Sequence, residues 1–105
     1  MANPWAGEVS LVLDGVEYPC RLTLGALAEL EAAIESGSLL ELVQRFEGNR
    51  YSTRDVMLLI VAGLRGGGWS GGSQDLLSAD IAGGPLEAAR KAAEMLARAF
   101  HIPEG

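Results

Sequence analysis

The sequence predicts an α+β domain in which an N-terminal β-hairpin packs on a small bundle of about four to five helices. Three observations carry this expectation. The segment EVSLVLDGVEYPCRL alternates apolar and polar residues on both sides of Asp14-Gly15, a dipeptide suited to a two-residue type I′ turn. Beyond Thr23 the apolar spacing changes from two residues to about 3.6. Caps and glycines then divide the remainder into helix-length pieces. With 105 residues the chain fits one domain over 1–105, with the hairpin at 8–22 and the helical part at 24–101.

In the hairpin register, Leu13 faces Val16, Leu11 faces Tyr18 and Val9 faces Cys20, so one face is apolar while Ser10, Glu17, Pro19 and Arg21 line the other. Pro19 falls opposite Ser10 in a non-hydrogen-bonded pair, where its missing N–H points away from the first strand, which makes the second strand an edge there. Thr23 caps the first helix and Gly37 ends it, with Leu24, Leu27, Leu30 or Ala28, and Ile34 as its apolar positions. Ser38 and Glu41 have capping-box spacing ahead of a second helix carrying Leu39, Leu42, Val43 and Phe46. Ser52 with Asp55 opens a third. From Asp55 to Leu64 this helix is apolar nearly all round, as expected of a central helix buried on several sides.

The stretch GLRGGGWSGG, residues 63–72, follows, then a weakly specified segment from Ser73 to Ile81. Pro85 suits the first position of a final helix. Along that helix Leu86, Ala89, Ala93, Leu96 and Phe100 form the expected packed stripe, and Glu87/Lys91 and Glu94/Arg98 are i,i+4 ion pairs in the favourable orientation.

Composition narrows the function. The hydrophobic fraction of 49% with 21% charged residues describes a folded chain, and the net charge of −6 argues against nucleic acid, whose binding rests on lysine and arginine. A basic or apolar protein partner fits better. The start MANPWAGEVS has neither the basic nor the apolar region of a secretory signal, and no stretch is apolar for the ~20 residues of a membrane span, so a cytoplasmic protein is expected. One cysteine, Cys20, and one histidine, His101, offer neither a disulfide framework nor a metal site. No cofactor is implied.

The candidate motifs dissolve on inspection. Gly66 to Gly71 formally fits G-x-G-x-x-G, but a helix, not a strand, precedes it. Counted as a P-loop from Gly63, the run puts Trp69 where the phosphate-binding lysine must stand. The remaining reading is a helix stop and a pliable connector. Within it Trp69 either covers the end of the core, the favoured use of an indole, or anchors a partner. Arg65 complements the dipole at the end of the central helix. Arg65 and Trp69 are the candidate partner contacts. Glu29, Glu31 and Glu35 read as a solvated helix face, His101 as an exposed helix end, and Cys20 as a small buried hydrophobe. No catalytic residues are expected, and the chain is read as a non-enzyme.

Three stretches, GEVSLVLDGVEYPCRLTLGALAELEAAI, RFEGNRYSTRDVMLLIVAGLRGGG and GGPLEAARKAAEMLARAF, resemble the small tail assembly chaperones of tailed phages and gene transfer agents, over about Gly7 to Phe100. The resemblance implies a tail morphogenesis factor that binds the tape measure protein, helps tail tube subunits assemble around it, and is absent from the finished particle. An exposed hairpin edge or an apolar groove would hold such a client. The structural alternative is a tube or terminator subunit retained in the particle, with the hairpin edge as its route to homo-oligomers. A nucleotide-binding regulator using the glycine run is the third reading.

Overall fold

The computed structural model describes residues 8–34 and 38–100; Glu35, Gly37 and His101 lie outside the described residues. The element order is β1 (Val9–Leu13), β2 (Val16–Cys20), α1 (Leu24–Ala33), α2 (Leu39–Glu47), α3 (Thr53–Gly66), α4 (Ser73–Leu77) and α5 (Gly84–Phe100). A hairpin followed by five helices is the α+β architecture expected.

The hairpin has the predicted register, Leu13 with Val16 through Val9 with Cys20, including the Ser10–Pro19 pair. Asp14 and Gly15 take φ values of 51° and 80°, the left-handed pair a type I′ turn requires. Burial is unequal between the strands. Val9, Leu11 and Leu13 are all buried, whereas in β2 only Cys20 is.

The helix caps also follow the sequence. Thr23 Oγ1 accepts from the Ala26 amide at 3.1 Å and Ser38 Oγ from the Glu41 amide at 3.3 Å. Ser52 and Asp55 form a full capping box: Ser52 Oγ accepts from the Asp55 amide, and Asp55 Oδ2 from the Ser52 amide. Helix α3 is central, touching α1, α5, α4 and β2, and it buries Val56, Leu59, Ile60, Ala62 and Leu64. The segment after Gly72 is better specified than its composition suggests. The Gly72 amide donates to Asp75 Oδ2 at 2.8 Å, starting the short helix α4, whose Leu76 is buried.

Two packed stripes differ from expectation. On α1, Leu24 is 84% exposed, and the buried face is Ala26 and Leu30 with Leu27 and Ile34 alongside. Small Ala26 lets α1 approach the end of α3 at Gly66, where a larger residue would hold the helices apart. On α5 the core takes Ala88, Ala89, Ala92, Met95 and Leu96, leaving Leu86 85% and Phe100 40% exposed, with Ala93 exposed between them. Leu86, Ala93 and Phe100 share one flank because they recur every seven residues. The small face wins because it admits a close crossing in which Met95 fills the space left by Gly63.

At its α3 end the glycine run is a packing surface rather than a pliable connector. A Cβ at Gly66 would overlap the Arg21 carbonyl oxygen, one at Gly67 the Pro19 carbonyl oxygen, and one at Gly63 the Met95 sulfur. The bare end of α3 thus lies directly on the β2 backbone, and the Arg21 amide donates to the Gly63 carbonyl at 2.8 Å. The edge expected at Pro19 is therefore covered. The outer edge of β1 is covered at its turn end as well: Leu13 bridges Ile81, the Ala82 amide donates to Val12 O and the Asp14 amide to Asp80 O.

Candidate functional surface

Helices α3, α4 and α5 meet around an apolar groove of about 510 Å³, walled by Val56, Met57 and Ile60 on one side and by Leu76, Ala88 and Ala89 on the other. Its volume lies within the ~300–1,000 Å³ usual for a ligand cleft. Leu77 and Leu86, 69% and 85% exposed, also line it.

Polar contacts brace each wall of the groove. At the start of α3, Arg45 Nε and Nη2 each donate to an Asp55 oxygen at 3.0 Å, a bidentate pair joining α2 to α3. Burial alone would raise the Asp55 carboxyl, but hydrogen bonds from Arg45 and from the Ser52 amide outweigh it and hold the group below the usual carboxylate range. Tyr51, at one end of the groove, stacks on Phe46 with ring centroids 4.4 Å apart. At α5, the Gly84 amide donates to Ile81 O at 2.9 Å, and Gly83 and Gly84 take φ values of 88° and 71°. This left-handed pair turns the chain sharply into the helix, so Leu86 emerges at the rim.

Beside the groove, sharing Ala79 with it, lies a polar notch of about 520 Å³ formed by Tyr18, Trp69, Gly71, Asp14 and Asp75. The Asp80 amide donates to Asp14 Oδ1 at 2.9 Å, which ties the hairpin tip to the junction between groove and notch. The ion pairs described for this chain use Asp55, Glu29, Glu87 and Glu94 as their acids. Asp14 and Asp75 instead accept from backbone amides.

Trp69 lies in the loop after α3, and Arg65 in the last turn of that helix. Trp69 is partly buried against the core and lines the notch, with Gly71 so close to the indole that a Cβ there would overlap the ring. Arg65 donates to Glu29 Oε1 at 2.8 Å and to the carbonyl of Gly71, a residue that lines the notch, at 3.1 Å. It braces α1 and the loop from outside the notch. Cys20 is buried, and that burial pushes its thiol up to about 12, an effect Lys91 only partly offsets. Among the described residues, no group of three or more His, Cys, Asp or Glu is placed to hold a metal, and no helix is long and apolar enough to cross a membrane.

Sequence reasoning missed the groove. The helical spacing predicts its rim residue Leu86 in the packed stripe, and nothing in the sequence distinguishes Met57 or Leu77. The hint was an excess of apolar positions on the last helix: two stripes fit its spacing, and only one can face the core.

A hairpin partly covered on both edges, five helices and, among the described residues, an apolar groove define a small α+β domain. Residues 6–102 match the family described as "Phage tail tube protein, GTA-gp10", and the chain belongs to that family. The expected kinship with phage and gene transfer agent tail proteins therefore stands, although the description names a tube protein rather than a chaperone. No curated protein and no solved structure gives a significant match.

Proposed function

We propose that this chain is a non-catalytic protein of phage-type tail construction that acts by binding other tail proteins, and that it serves as a structural part of the tail. The family match over residues 6–102 carries the reading. The apolar groove supports it by offering a surface for a neighbouring chain. In quantitative mass spectrometry of purified particles, the chain is expected at the copy number of a repeated ring component. Its absence from particles whose tails are complete would overturn the structural reading.

A second reading, an assembly factor that acts in the cytoplasm, binds the tape measure protein and leaves before the particle is finished, is favoured by one observation. Among the described residues the sheet has two strands, and each outer edge is covered along part of its length, which limits growth of a tube by strand pairing, whereas the groove is open to a client. For that reading, deletion abolishes tails while the chain is missing from wild-type particles.

A further inference from the structure

We infer that the groove and the adjoining notch form one docking surface for a basic amphipathic helix of another tail protein, the apolar face lying against Met57, Leu77 and Leu86 and a lysine or arginine entering the notch between Trp69, Asp14 and Asp75. This deepens the proposed function and rests on it. The two depressions share Ala79 and adjoin at Asp80, whose amide binds Asp14. A helix of about 20 residues is ~30 Å long, comparable with the 32 Å longest extent of the domain, so one ligand helix can cover both.

Charge selects the ligand. The notch combines two carboxylates with the indole of Trp69 and the ring of Tyr18, an arrangement that attracts a cation both by Coulomb force and through the aromatic faces. The chain's net charge of −6 adds long-range attraction for a basic partner. The same charge disfavours a second copy as occupant. Leu24 and Leu40, exposed leucines on α1 and α2, sit on helices that also expose Glu29, Glu31, Glu41 and Glu47, which would bring acid to acid.

The probe is an array of overlapping peptides, each about 20 residues long, covering every protein of the particle's tail, this chain included. Hits are measured by fluorescence anisotropy against the full-length protein. The expected hits have apolar residues at i, i+3, i+4 and i+7 and a net positive charge. Leu86→Glu should weaken them by about tenfold or more, and Leu24→Glu by less than about twofold. Both leucines are exposed in the first turn of a helix, where an acid is tolerated, so circular dichroism should show both variants folded. Asp14→Asn with Asp75→Asn should weaken binding by roughly three- to tenfold and flatten its salt dependence.

The inference is overturned if hits are acidic or neutral, if Leu24→Glu acts like Leu86→Glu, if only peptides of this chain bind, or if none binds. Gene deletion separates its failure from that of the function: tail-less particles with a blank array would refute the docking surface alone, and normal tails after deletion would refute the tail role.

Discussion

At the scale of single residues, glycines decide how closely this fold closes. The composition of residues 63–72 suggests a pliable connector because glycine permits many backbone conformations, yet four of them, Gly63, Gly66, Gly67 and Gly71, are needed for the absence of a side chain. Composition cannot separate these uses, since both are satisfied by the same residue and only the tertiary neighbour differs. Gly66 lies on the Arg21 carbonyl, whereas Gly72 has open space around its α-carbon and an extended φ of −133°. Gly66→Ala should therefore cost about 3 kcal/mol in urea unfolding, because two stretches of backbone must separate. Gly72→Ala should stay within about 0.5 kcal/mol. Equal losses at the two positions would mean that the run is uniformly constrained, and no loss at either that it is the hinge its composition suggests.

Among the elements, starts and types were legible and faces were not. The hairpin register and the caps at Thr23, Ser38 and Ser52 are local chemistry, readable from a few neighbouring residues. Which side of α1 or α5 turns inward depends on partners far along the chain, so the larger leucines at 24 and 86 misled where small alanines allow closer packing. The Arg45–Asp55 pair was likewise invisible, although its acid was recognised as a capping residue. It welds α2 to α3, and its sign with pH follows from the depressed carboxyl. A folded-state value below the unfolded ~3.9 contributes stability that is present above that value and lost as the pH falls through the folded one. Asp55→Asn should thus destabilise the protein by about 1–3 kcal/mol at neutral pH. Its deficit against the unaltered chain should shrink as acid denaturation is followed below about pH 4. A deficit constant over that range would assign Asp55 a role in packing alone.

For the molecule as a whole, α3 is the common neighbour of the hairpin, α1, α4 and α5, so opening it requires the rest to separate. Its mid-helix amides, around Leu59 and Ile60, should exchange with solvent only through global unfolding, while those of α4 exchange through smaller local openings, as measured by hydrogen exchange under mild denaturant. Exchange of α3 ahead of α4 would contradict this order. The centrality of α3 was readable from its all-round apolar character; the groove beside it was not, because a concave surface belongs to no single segment of sequence. The bond between Asp14 and Asp80 joins residues 66 positions apart, and it has a consequence for synthesis. At ~5–20 residues per second a ribosome needs roughly 3–13 s to make that interval. During this time the hairpin has no Asp80–Ala82 segment to cover the turn end of β1's outer edge. A nascent chain on a crowded polysome thus presents an uncapped strand to its neighbours, and synthesis of the Asp80–Ala82 segment ends that exposure.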